Sequence, residues 1–230
     1  MRLYNKLINE LKGLLISSKQ LNNGNLLKTS DKNSVIFLSD TAFELGGSNK
    51  PCVSGLAVSS DVSFSNSVYL LGNDLNKIKA DSPFCKFVFI QIEDFEDEQN
   101  TFNKIKELES LRYHLSVDGF MTRASALNMR EQIRVSKKVI KSVVSFADYG
   151  HTLLNEYLKF PYVKSTEIYF ATEFNDYERI NSVAKKISQT TSALNHIFDN
   201  VMFDCSTCNL KEICDEVDGL KELHLKNAKK

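Results

Sequence analysis

The sequence lacks a charge bias. Across 230 residues, 29 Lys and Arg face 29 Asp and Glu, so no global basic field draws the chain to nucleic acid or to an anionic membrane. It also lacks a long apolar run. Leu3, Leu7, Ile8, Leu11, Leu14 and Leu15 recur at helical spacing, but Lys6, Glu10 and Lys12 interrupt them. A signal peptide needs about 7–15 unbroken apolar residues and a membrane span about 20. Neither occurs, and the reading is a soluble, cytoplasmic protein with no nucleic-acid or membrane partner. Also missing are a nucleophile elbow, an HExxH zinc-protease motif and a phosphate-cradling glycine loop. The Gly46-Gly47 pair has the spacing of none of these. No catalytic apparatus is evident.

What is present is an alternation of short elements. Residues 1–20 read as an amphipathic helix, 20–33 as a polar loop, 35–38 as a short strand and 41–51 as a turn-rich connection. Strands are expected at 53–59, 67–71 and 86–92, the last (KFVFIQI) buried on both faces. The acidic run 93–98 opens a helix carrying Phe102, Ile105 and Leu108. Residues 112–116 and 120–126 look like strands paired across Asp118-Gly119, a strong hairpin signal. Strands at 132–136 and 164–171 then alternate with a helix ending before Pro161 and a long helix over 176–198. The expected class is α/β (α+β): mixed sheets flanked by helices, with a C-terminal cysteine-bearing helical tail. The parts read as 1–110, 111–200 and 201–230, or as one compact domain.

Five cysteines are an odd number, and Cys205, Cys208 and Cys214 lie within ten residues of one another. A disulfide framework spreads its cysteines in pairs through a small secreted domain; clustered thiols in a reducing compartment bind metal or do redox chemistry. Cys205 and Cys208 are spaced to grip one centre, and soft thiolates suit zinc, copper(I) or iron–sulfur clusters. The sequence turns helical after Cys214, placing that ligand at a helix start. Three cysteines leave a fourth position to Cys52, Cys85, His224 or an exogenous group. Cys52, in the turn NKPCVSG, is the first candidate; Cys85 reads as a core thiol and His224 as a surface histidine.

Basic residues concentrate between positions 112 and 141. Arg123, Arg130 and Arg134 could converge on a phosphate-bearing ligand, or form a solvated strand face balanced by acids. His114 and His151 stand apart from any carboxylate or serine pattern and read as structural.

The run QIRVSKKVIKSVVSFADYGHTLLNEYLKFPYVKSTEIYFATE, with RYHLSVDGFMTRASALNMRE before it, resembles the middle domain of acetyl-CoA synthase, the β subunit of the carbon monoxide dehydrogenase/acetyl-CoA synthase complex. The resemblance covers about residues 110–196. DTAFELGGSNKPCVSG and the tail DCSTCNLKEICDEVDGLKELH look like segments of short stand-alone relatives of that synthase. It implies an iron–sulfur cluster, 4Fe-4S, at the tail cysteines rather than zinc, and coenzyme A as a ligand of Arg123, Arg130 and Arg134. It also implies an accessory, electron-transfer or metal-handling role in anaerobic one-carbon or acetyl-CoA metabolism, beside synthase-type subunits or a redox partner. Nickel is not implied, because the family's nickel site sits in a separate domain with more cysteines. The alternatives are a non-enzymatic module with structural zinc, and a synthase-like enzyme completed by a partner subunit.

Overall fold

The computed structural model describes residues 2–30, 42–47, 49–95, 97–125, 130–141, 143–198 and 208–227. The fold is mixed α/β, as the alternation implies: two five-stranded sheets with helices packed on them. Helix α1 (Asn5–Leu14) leads into two short strands, β1 (Lys19–Leu21) and β2 (Thr29–Ser30). Strands β3 (Ala42–Leu45), β4 (Cys52–Ser59), β5 (Ser67–Leu71) and β6 (Phe84–Ile92) precede α2 (Glu98–His114). Then come β7 (Ser116–Val117), β8 (Phe120–Ser125), β9 (Arg130–Ser136), α3 (Lys137–Lys141) and α4 (Phe146–Leu158). Strand β10 (Val163–Ala171) and α5 (Tyr177–Phe198) are followed by two short helices, α6 (Lys211–Glu216) and α7 (Leu220–Asn227). No helix among the described residues is long and apolar enough to cross a membrane.

The first sheet has the order β1-β5-β10-β6-β4. Strand β10 runs parallel to β5 and antiparallel to β6, while β4 runs parallel to β6. Both β6 and β10 are buried almost throughout, which fits their near-continuous apolar runs. The second sheet, β2-β7-β8-β9-β3, is antiparallel. Strand β9 alternates buried and half-buried residues, so one face packs inward and the other carries Arg130, Gln132 and Arg134. Both sheets draw strands from either side of residue 110, and one apolar cluster extends from Tyr4 to Leu223. A division at 110 therefore cuts through both sheets rather than between domains.

Three local readings change. The expected connection at 41–51 begins with β3, because Ala42, Phe43 and Leu45 are buried and pair against β9. The expected strand at 112–116 is mostly the end of α2, which Ile105, Leu108 and Leu111 extend by helical spacing; only Ser116–Val117 pairs. The hairpin across Asp118-Gly119 does form, with Gly119 at φ 82°. Strands β1 and β2 occupy part of the expected loop at 20–33. The strand expected at 35–38 lies outside the described residues.

Helix α4 lies across β5 and β10 and is fixed by a reciprocal cap between Ser145 and Asp148. Its approach to the sheet depends on Gly150. A Cβ there would stand 2.4 Å from Val68 Cγ1 and 2.9 Å from Phe170 Cε2, and both side chains are fully buried. Alanine gains about 0.8–1.0 kcal/mol over glycine in a helix, but overpacking costs about 1–3 kcal/mol. Gly150→Ala is therefore expected to destabilise the protein, read as a lower urea midpoint with an unchanged slope.

Helix α1 is tied to β10 by charge. Glu167, 4 % exposed, accepts hydrogen bonds from Lys12 Nζ (2.7 Å), Ser65 Oγ (2.7 Å) and Tyr169 OH (3.2 Å). Burial alone would raise its pKa, but the bonds from Lys12 and Ser65 outweigh that and hold it below the ordinary glutamate value of 4.5. A depressed carboxylate contributes stability that is fully present above the unfolded-state value and is lost as pH falls through the folded one. Urea unfolding should show stability falling as pH drops below about 4.5, with a shallower fall in Glu167→Gln. A Glu167→Gln variant with the wild-type acid profile would contradict this assignment.

Candidate metal centre

The C-terminal helices α6 and α7 are too short to be stable alone; they fold by packing on α5. Leu210, Ile213, Val217, Leu220 and Leu223 are all buried and recur every three or four residues. The chain turns between the two helices at Gly219, whose φ of 86° suits glycine. Lys186 on α5 pairs with Glu216, and Lys226 on α7 reaches Glu98 at the start of α2 at 3.0 Å. These contacts fix where the flanking polar residues of the stripe point.

Cys208 lies just before α6 and Cys214 within it, the fourth residue of the helix that begins at Lys211 rather than its first. Both are half-buried, pack against the apolar core and are outside any disulfide. Together with His196 on α5 and His224 on α7 they line one small cavity of about 20 Å³, closed by Ala193, Ile197 and Leu210. Cys205, the remaining cysteine of the motif, lies outside the described residues. Among the described residues no three His, Cys, Asp or Glu side chains already form a group that could hold a metal ion. The two thiols and two imidazoles suit a soft or borderline metal by donor chemistry. His224 was the weaker candidate by sequence, and His196 carried no sequence signal; it enters because it sits one turn beyond Ala193 on the helix that receives the tail.

Cys52 is not brought to this cavity. It opens β4, 3 % exposed, and its carbonyl accepts from Tyr177 OH at the first residue of α5. The cavity lies at Ala193–Ile197, and from Tyr177 to Ala193 the helix rises about 24 Å at about 1.5 Å per residue. Cys52 Sγ instead contacts Glu131 O at 3.5 Å, and burial raises its thiol pKa. Cys52 therefore stands apart from Cys208 and Cys214, while His196 and His224 share their cavity. Cys85 is fully buried in β6, with its pKa raised by burial, as a core thiol.

The three arginines fall on one face of the second sheet. Arg130 and Arg134 alternate with buried residues on β9, and Arg123 on β8 stands opposite Gln132 between them. Arg130 Nη2 donates to Gly46 O (2.9 Å) and Lys50 O (3.4 Å), holding the β3–β4 turn. Arg134 pairs with Glu44 at 3.4 Å across β9 and β3. The visible work of Arg130 and Arg134 is structural. His151 Nδ1 bonds Ala147 O at 2.8 Å within α4, also a structural role.

One constellation was not legible at all. Lys86 on β6 and Glu131 on β9 form an ion pair between the two sheets, 4 % and 1 % exposed. A cavity of about 10 Å³ beside them is bordered by Arg112, Thr122, Tyr149 and Tyr157. Burial lowers the Lys86 pKa, with Glu131 opposing that, and burial raises both tyrosines. So small a space holds about one water molecule, and the cluster reads as an internal cross-brace.

No family model matches the chain, and no curated protein matches it.

Proposed function

We propose that this is a metal-carrying protein whose C-terminal helices present a soft-metal centre against α5. One observation carries the reading: Cys208, Cys214, His196 and His224, drawn from three separate elements, line the same cavity. Cys205, three residues before Cys208, would supply the third thiolate, and His224 or His196 the fourth donor. The group that the acetyl-CoA synthase resemblance implies is an iron–sulfur cluster, which would supply one-electron transfer. The role that follows is accessory: electron transfer or metal handling beside a carbon monoxide dehydrogenase/acetyl-CoA synthase-type system, in the cytoplasm of an anaerobe. Catalysis of a synthase kind is not part of the proposal, because the nickel site of the synthase family sits in a separate domain with more cysteines.

A specific observation favours a second reading, a structural zinc site. The cavity of about 20 Å³ matches a single ion, and mixed Cys/His sets are usual for structural zinc. Anaerobic purification separates the two. The iron–sulfur reading predicts brown protein absorbing near about 400 nm and bleached by dithionite. Colourless protein with stoichiometric zinc, and a tail that loosens on chelation, would replace it with the zinc reading. Protein with neither metal would contradict both.

A further inference from the structure

A broad concavity lies at the other end of α5. It measures about 770 Å³, within the about 300–1,000 Å³ usual for small-molecule sites. It lies beyond the carboxyl ends of the parallel strands β5 and β10, where the chain leaves β10 to enter α5. Crevices of this kind are where α/β sheets bind ligands. Its walls are cross-linked: Thr172 N donates to Leu71 O (2.9 Å), Thr172 Oγ1 to Asn73 O (2.9 Å), and Asn73 to Glu173. The cleft is thereby preformed, and a ligand entering it meets little ordering cost.

Its charges are unevenly committed. Asp81 accepts from Glu44 N at 2.8 Å, and Glu173 holds Asn73. Lys77 and Lys79, on the same lining segment as Asp81, are exposed, and among the described residues neither ammonium has a hydrogen bond or ion pair. The two acids keep their charge but are engaged by protein donors, whereas both ammonium groups have hydrogen bonds left to give, so an anionic group in the cleft would be met at Lys77 and Lys79. Beside the lysines, Phe174 and Tyr177 form a stacked pair, centroids 5.5 Å apart and 28° between planes. Both rings border the cleft and offer an aromatic surface to a flat heterocycle. Tyr177 OH is fixed on Cys52 O at 3.3 Å, so that surface is held in place.

From these features we infer that the cleft is a nucleotide site, with phosphates on Lys77 and Lys79 and the base against Phe174 and Tyr177. It stands independently of the metal centre, from which α5 separates it. Binding is measured by titration calorimetry on the full chain with nucleoside diphosphates of the four bases, adenosine and inorganic pyrophosphate. At least one diphosphate should bind saturably and more tightly than pyrophosphate or adenosine. Lys77→Glu/Lys79→Glu should weaken that diphosphate by about tenfold or more; these side chains are exposed, so the variant should fold. Phe174→Ala should weaken the diphosphate and leave pyrophosphate binding unchanged. The proposal is overturned if no diphosphate binds at about 1 mM, if none binds more tightly than pyrophosphate, or if the double lysine variant binds like the wild type.

Discussion

Glu131→Ala should destabilise the protein by about 3–5 kcal/mol, the usual cost of stripping one partner from a buried ion pair. Lys86 would lose its compensating carboxylate in the space between the sheets, next to Arg112, and would have to stay charged and unpaired or give up its proton, each at a cost. Replacing both members by apolar residues of similar size, Lys86→Met/Glu131→Leu, should recover most of that loss, because the desolvation penalty then disappears with the charges. A double-mutant cycle in urea reads both effects. Glu131→Ala as mild as an exposed charge deletion, below about 0.5 kcal/mol, would show that the brace carries no load between β6 and β9.

Replacing Cys208 and Cys214 by serine should remove the metal altogether, since a serine oxygen is a poor ligand for a soft ion. His224→Ala or His196→Ala should lower affinity by a smaller factor, about 10–100-fold, and whichever histidine coordinates will show it. Cys52→Ser should leave metal content unchanged. Hydrogen exchange should speed in α6 and α7 of the cysteine variant while β6 and β10 keep their protection, because tail packing and sheet packing are separate contributions. Metal retained in the double cysteine variant would place the centre elsewhere.

Elements with a strong period or an unbroken apolar run were legible from sequence: β4 to β6, α4, β10 and α5 lie within a residue or two of their expected bounds. Strand β3 was hidden because Gly46-Gly47 dominated a four-residue alternation. The sheet order was not legible. The placement of β10 between β5 and β6 depends on pairings about 70 to 100 residues apart that no local pattern records. The same is true of Lys86 and Glu131, each of which reads alone as an ordinary polar strand residue. At the candidate site, spacing singled out Cys208 and Cys214, whereas the nearness of His196 and His224 depends on how the tail docks. The turn NKPCVSG favoured Cys52, but that residue opens β4 at the far end of α5 from Cys208 and Cys214.

Native mass spectrometry of the anaerobically purified chain, beside Cys208→Ser/Cys214→Ser, tests the metal centre most directly. The wild-type protein should carry one metal centre, its added mass distinguishing an iron–sulfur cluster from a single zinc, and the variant should carry none. A bare polypeptide mass for both proteins would contradict the account.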